Sequence, residues 1–297
     1  MINNKTPGEV QARGLLLVGY DLHRQARVKG KTLLRRFKAH YGCEPRVYAK
    51  LWEVLQTTDI VGARLPVNKN NNKAFDRFLM AIYYLKGYET EEKVASRFGV
   101  CEETMRMWVD KFVTRISKLL PKYVVWPDSW ETEFIISVDC VNFGTNEPRH
   151  PTLHKQQKFF DRKGGKAGLT YEIALHLWKN KVVWFNGPFA PNDGGDRAIF
   201  MEKGLHDKIP NGKKAIADKI YTGILKIALH NSLDTKEVRE FKARARARQE
   251  SINARLKNFG CLKNRFRHGI ARHKVFASAV MVVSCVAIEN GSPLFDV

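Results

Sequence analysis

The first third of the chain repeats its apolar residues at helical spacing. Leu33, Leu34 and Phe37 form one set, and Val47, Leu51, Val54 and Leu55 form the next. The polar run Asn68-Lys69-Asn70-Asn71-Asn72-Lys73 interrupts the pattern, after which Phe75, Phe78, Leu79 and Ile82 share a helical face that Gly87 closes. A short helix is predicted from Glu91 to Phe98, then a Gly99-Val100 turn, then a longer helix striped by Met105, Trp108, Val109, Phe112 and Ile116. Two helices across a brief turn predict a helix-turn-helix near residues 89–117, and an ordinary three-helix bundle fits the same pattern. Glu102 and Glu103 open the second helix where phosphates would approach, which favours a mainly structural unit.

Past Pro121 and Pro127 the period becomes two. Phe134 to Asp139 predicts a buried strand with Asp139 at its end. Leu169, Tyr171, Ile173, Leu175 and Leu177 alternate with Thr170, Glu172, Ala174 and His176; Lys179-Asn180-Lys181 predicts a tight turn, and Val182-Val183-Trp184-Phe185 returns. A helix from about Arg197 to Leu205, a fourth strand from Lys214 to Asp218 and further helices follow. Strand, hairpin, helix, strand, helix is the order of a ribonuclease-H-like α/β fold, here a mixed five-stranded sheet flanked by helices, with strand four parallel to strand one. The expected organisation is an all-helical domain over residues 1–125 and this α/β domain over 126–297. Asp139 and Asp218, although 79 positions apart, would then face one crevice.

Charge adds a partner class. The formal net charge is +21, and residues Arg239 to Lys274 hold twelve Lys/Arg against Glu240 and Glu250. Such density is the footprint of a polyanion, most often nucleic acid. The candidate DNA contacts are Arg239, Lys242, Arg244, Arg246, Arg248, Arg255, Lys257, Lys263, Arg265 and Arg267, some of which a solvated basic face explains equally well. At helical spacing Arg246, Glu250, Asn253 and Lys257 share a face, so one helix sets a carboxylate among cations. The tract Lys242 to Arg248 also matches a basic nuclear-import patch. Five scattered cysteines point to reduced thiols, and His150, His154, His268 and His273 lack cysteine partners at zinc spacing. Met1-Ile2-Asn3-Asn4-Lys5 has no apolar signal region, and Val275 to Ile288 reads as a core helix, so no membrane partner is expected.

Asp139, Asp218 and Glu250 are awkwardly placed acids: two at expected strand ends and one in an arginine-laden helix. Together they make a cage for hard divalent cations, although a strand-end aspartate also commonly caps the turn that follows.

With these residues in place, roughly Phe134 to Val297 resembles the DDE transposase and nuclease superfamily, in particular its PIF/Harbinger branch and domesticated relatives. The matching motifs are Ser137-Val138-Asp139-Cys140, Gly187-Pro188 with Asp196-Arg197-Ala198-Ile199-Phe200, Ala217-Asp218-Lys219-Ile220-Tyr221, and Arg248-Gln249-Glu250 running on to Lys263-Asn264-Arg265-Phe266-Arg267. The chain departs from that pattern at Ile220, where a glycine is usual, and at Gly195, where a histidine commonly precedes the aspartate. The resemblance implies a Harbinger-type transposase, a DNA endonuclease and strand-transferase. Its catalytic acids would be Asp139, Asp218 and Glu250, binding two Mg²⁺ or Mn²⁺ ions with Asp196 as a fourth metal candidate; Asp193 is the rival for that position. It also implies double-stranded DNA (transposon ends and target) as partner, an assisting Myb-like DNA-binding protein, a homo-oligomer, and a nuclear location in a eukaryote or a nucleoid-associated cytoplasmic one otherwise. A domesticated DNA-binding protein that no longer cuts is the alternative.

Overall fold

Thr6 opens the first helix, Pro7–Leu17, with a capping box: its side chain accepts the Glu9 N–H, and Glu9 accepts the Thr6 N–H at 2.7 Å. Asp21 and Thr90 cap Leu22–Ala26 and Glu91–Arg97 more simply, their side chains accepting the Arg24 and Lys93 N–H groups, and Pro45 stands at the start of Pro45–Thr57. The computed structural model describes residues 4–58, 71–147, 157–162, 164–192, 194–229, 231 and 233–297. The chain divides into two units, Met1–Leu120 with Asn258–Cys261 and Val275–Ser292, and Pro121–Lys257 with Leu262–Lys274 and Pro293–Val297. This differs from the expected division at 125/126 chiefly by assigning residues 275–292 to the first unit.

The first unit is helical, with an aromatic core. Trp52 packs on Phe75 at 5.1 Å and Phe78 at 5.4 Å, and Phe112 closes on Phe78 at 5.8 Å. All four rings are buried. Gly14 lies inside a helix because a Cβ there would come within 2.5 Å of the Phe37 ring of Gly30–Tyr41. Residues 68–70 of the polar run lie outside the described residues, and residues 71–73 open the next helix, Asn71–Gly87. Glu91–Arg97 and Glu102–Ser117 follow, joined across Gly99 and tied by Arg106 to Glu91 at 2.7 Å, with Glu102 and Glu103 exposed. The last helix, Ile270–Glu289, is long and apolar enough to cross a membrane, but 72% of its apolar window is buried, as expected of a core helix.

The second unit is built on a mixed sheet. β1 (Phe134–Gly144) pairs antiparallel with β3 (Lys166–His176), which pairs antiparallel with β4 (Val182–Phe189). β5 (Lys214–Ile216) runs parallel to β1, and β6 (Ile227–Ala228) parallel to β5. The two-residue β2 (Phe160–Asp161) also pairs with β3, giving six strands where five were expected. One apolar cluster joins Ile136, Val138 and Ala215 to Phe200 of helix Gly195–Glu202 and to Leu205 and Ile209 beyond it. Another joins Ile216 and Leu177 to Ala245 of the basic helix, Lys236–Lys257.

Several expectations need correction. β1 does not end at Asp139 but runs on to Gly144, so this acid is mid-strand. β5 ends at Ile216, which leaves Asp218 in the turn beyond it, and the helix expected over Arg197 to Leu205 is broken at Gly204. The period-two pattern of β3 does not mark a wet face: Thr170, Glu172, Ala174 and His176 are all buried, because the strand is covered on both sides. Lys242 and Arg248, expected among the DNA contacts, are buried at 6% and 2% exposure. Lys242, Ala245, Gln249, Ile252 and Leu256 recur at the spacing of one helical stripe, and that stripe is the face packed on the sheet. Lys242 donates to the Leu229 carbonyl at 2.7 Å and to Asp234 at 2.8 Å. Arg248 donates to the carbonyls of His176 at 3.1 Å, Leu177 at 2.7 Å and Lys179 at 2.7 Å, clamping the β3–β4 loop.

Removing that clamp takes a charged donor from the buried carbonyls of His176 and Leu177 and from the half-buried contact to Lys179. Arg248→Ala is expected to lower the unfolding free energy by about 3 kcal/mol, whereas Arg239→Ala on an exposed turn of the same helix changes it by less than about 0.5 kcal/mol. Urea unfolding of both variants measures the difference, and equal losses would rule out the clamp.

Candidate active site

Parallel pairing of β5 on β1 stops at Ser137↔Ile216, and beside the continuation of β1 lies a cavity of about 840 Å³. Four elements bring to it the acids singled out in the sequence: Asp139 from β1, Asp196 from the first turn of Gly195–Glu202, Asp218 from the turn after β5, and Glu250 from the basic helix. The face predicted to carry Arg246, Glu250, Asn253 and Lys257 is the helix face that lines this cavity.

Asp139 is the most constrained of the four. It pairs opposite Ile173 in β3, and one of its oxygens accepts the Asn253 amide at 2.9 Å. Burial pushes its carboxyl up to about 6; the Cys140 backbone N–H and Asn253 oppose the shift, while the charges of Asp196 and Glu250 add to it. The charges of Asp196 and Glu250 therefore reach Asp139 across the cavity. Asp218 caps the short turn Lys219–Tyr221, accepting the Lys219 N–H at 2.6 Å, and lies 3.9 Å from Arg246. Buried Tyr221 anchors that turn beneath β1, donating its hydroxyl to Cys140 Sγ at 3.8 Å.

Glu250 is exposed towards the cavity because the residues around it are fixed. Gln249 accepts the Ser137 hydroxyl at 3.0 Å and donates to the Ile173 carbonyl at 3.2 Å, stitching the helix to β1 and β3. Of the basic residues singled out in the sequence, Arg246, Lys257 and Lys263 line the cavity. Arg239, Arg265 and Arg267 are exposed elsewhere, while Arg244 and Arg255 donate to the carbonyls of Asp296 at 2.6 Å and Pro293 at 2.8 Å. Asp193, His150 and His154 lie outside the described residues, and His273 is buried against the Tyr171 hydroxyl at 2.8 Å.

Sequence reasoning missed three neighbours of these acids and the role of a fourth, Asn253. Asp161 and Lys166 line the cavity from the β2–β3 hairpin. Asn253 holds Asp139, a role its spacing from Glu250 signals once the helix face is known. Glu172 sits opposite Cys140 in register; it is fully buried and accepts the Trp184 indole N–H at 2.8 Å. Burial pushes its carboxyl up to about 7, against that hydrogen bond and with the charge of Asp196 adding.

An all-oxygen donor set of mutually repelling carboxylates suits hard divalent cations. Among the described residues, no group of three or more His, Cys, Asp or Glu side chains is gathered closely enough to hold a metal ion as it stands. The acids therefore share a cavity without forming a closed cage.

Residues 138–290, more than half of the chain, match the DDE superfamily endonuclease family, and that span contains all four acids. The chain is also similar to the probable transposase for insertion sequence element IS702 of Microchaete diplosiphon, with 26% identity over 269 residues, 84% of this chain and 92% of that protein. No solved structure matches.

The raised Asp139 carboxyl has a consequence for stability. Its folded-state value of about 6 exceeds the ordinary 3.8, so its contribution is fully present below about pH 3.8 and is lost as pH rises through 6. Asp139→Asn is expected to make the metal-free protein more stable than the unsubstituted chain by about 2 kcal/mol at pH 7.5, with the advantage vanishing towards pH 4. Urea unfolding in EDTA across that range tests this; parallel pH profiles would show that Asp139 titrates normally.

Proposed function

Because the chain belongs to the DDE superfamily endonucleases and is an enzyme of the nuclease and transposase class, we propose that it is a DNA transposase whose strand cleavage and joining occur at the cavity of Asp139, Asp196, Asp218 and Glu250. The observation that carries this reading is the arrival of four carboxylates from four separate elements at one cavity that Arg246, Lys257, Lys263 and Lys166 also line. Cations on such a wall hold the phosphates flanking a scissile bond, and carboxylates beside them are otherwise hard to explain in a chain of net charge +21.

In the proposed chemistry Asp139, Asp218 and Glu250 would hold two divalent ions, Mg²⁺ or Mn²⁺, with Asp196 as an additional ligand or orienter. Such ions, when bound, activate the attacking oxygen of water or a 3′-hydroxyl and stabilise the leaving oxygen in an in-line displacement at phosphorus. The chain's own residues keep the donors in position. Asn253 holds one Asp139 oxygen, while Gln249 and Arg248 fix the rotation of the helix that presents Glu250. Arg246, next to Asp218, is placed to balance phosphate charge.

The Harbinger-type assignment rests on the motifs around Asp139, Asp196, Asp218 and Glu250. The similarity to a protein named as a probable insertion-sequence transposase supports the broader transposase reading. A two-domain organisation with a helix-turn-helix near 89–117, a Myb-like partner, a homo-oligomer acting on transposon ends, and a nuclear or nucleoid-associated location belong to the same proposal.

Nicking of supercoiled DNA in Mn²⁺ provides the test. Asp139→Asn, Asp218→Asn and Glu250→Gln are each expected to slow nicking by about 100-fold or more while leaving salt-sensitive DNA binding intact. Unchanged nicking by Asp218→Asn would remove that residue from the chemistry, and binding without nicking by the unsubstituted chain would leave a DNA-binding protein that does not cut.

A further inference from the structure

We infer that the helical unit grips DNA phosphates with a second cationic surface, residues 24–38, and that helix Gly30–Tyr41 rather than helix Glu102–Ser117 is its phosphate-facing element. This rests on DNA being the substrate class proposed above, and it concerns a surface remote in sequence from the arginine-rich helix.

Charge along the chain separates the two candidates. Residues 21–41 hold seven Lys/Arg and one acid, Asp21. Residues 91–117, the helix-turn-helix candidate, hold five Lys/Arg and five Asp/Glu. Side-chain placement widens the gap. Glu102 and Glu103 are exposed in the first turn of their helix, Arg106 is taken up by Glu91 at 2.7 Å, and Arg115 is buried, donating to the Leu55 carbonyl at 2.6 Å. A phosphate approaching that helix meets two carboxylates and few available cations.

Helix Gly30–Tyr41 presents the opposite surface. Phe37 and Tyr41 are buried, whereas Lys31, Arg35 and Lys38 recur at i, i+4 and i+7 and are exposed. Those three cations span about 10 Å of helix axis, against one phosphate per about 3.4 Å along each strand of a duplex. Arg24, Arg27 and Lys29 extend the row in front of the helix and are also exposed. Asp21 engages Arg24 at 3.6 Å and Glu44 engages Lys38 at 3.6 Å. Among the described residues, Arg27, Lys29, Lys31 and Arg35 have no acidic partner within salt-bridge distance. Arg36 lies over the Tyr20 ring at 4.8 Å and is not needed for the row. Exposed like charges on one short segment repel each other, and a polyanion relieves that repulsion by releasing its condensed counterions. Lys and Arg contacts to phosphates carry no sequence information, so the grip proposed for this surface is independent of sequence.

Fluorescence anisotropy of the full chain on a labelled duplex of random sequence, in EDTA and over a series of salt concentrations, tests this. The triple variant Lys29→Glu, Lys31→Glu, Arg35→Glu is expected to reduce the slope of log affinity against log salt by about 2 to 3 and to weaken binding at least about 10-fold. The milder Lys31→Gln, Arg35→Gln pair is expected to fall between, with an unchanged melting temperature that separates lost charge from lost fold. Glu102→Gln with Glu103→Gln is expected to change affinity by less than about twofold. An unchanged slope in both charge variants overturns the proposal, as does a gain of about 10-fold or more in the glutamine pair at 102 and 103. Mn²⁺-dependent nicking by the same proteins keeps the two readings apart. Nicking with binding unaffected in the triple variant removes this surface and leaves cleavage standing, whereas weakened binding with no nicking by any variant removes cleavage and leaves the surface.

Discussion

The short parallel pairing of β5 on β1 is the constraint around which the second unit is arranged. Backbone hydrogen bonds bring two stretches far apart in the sequence into register, and they stop at Ser137↔Ile216. β1 continues beyond that stop, still paired with β3, and β5 gives way to the turn that Asp218 caps. Without the pairing, Asp139 and Asp218 have no reason to share a cavity. With it, Asp139 stands on a strand held by a second ladder, where a carboxyl pushed up to about 6 can be retained despite its cost.

The basic helix solves a related problem. A segment so rich in Lys/Arg repels itself, and the fold turns part of that charge into tethers. Lys242 and Arg248 donate to carbonyls on the sheet side, while Arg244 and Arg255 donate to carbonyls of the C-terminal segment. Charged donors on neutral carbonyls give strong hydrogen bonds, and of these four cations Lys242 also pairs with an acid, Asp234 at 2.8 Å. The scarce carboxylates are thereby left for the cavity, and Arg246 and Lys257 stand beside them on the remaining face.

This explains which parts were legible in the sequence. Strand and helix order, the apolar runs before Asp139 and Asp218, and the helical spacing that groups Arg246, Glu250, Asn253 and Lys257 are local patterns, and local patterns carry the placement of the acids. Where β1 ends was not legible, because Cys140, Val141 and Asn142 read as a loop entry unless β3 is known to pair with them through Gly168. The burial of Glu172 was hidden for a similar reason: alternation marks a wet face only when one side of the strand is open. Nor does sequence distinguish Arg248 from Arg246, two positions apart, since a long side chain at the edge of a buried stripe is decided by the carbonyls that happen to lie within reach.

Asp218 has a local role and a proposed chemical role that draw on the same two oxygens. A carboxylate that accepts a backbone N–H at the start of a turn is an ordinary cap, and such a cap alone explains why an aspartate follows β5. An ionised carboxylate has about four acceptor sites on two oxygens, however, and the Lys219 N–H uses one of them on Oδ1. Oδ2 keeps its full capacity, and the cap restricts the side chain to the rotamer that faces the cavity. Arg246, 3.9 Å away, lies beyond hydrogen-bond range and balances the charge without occupying those sites. Capping therefore orients Asp218 for a ligand instead of withdrawing it, as Asn253 orients Asp139 through one of its oxygens.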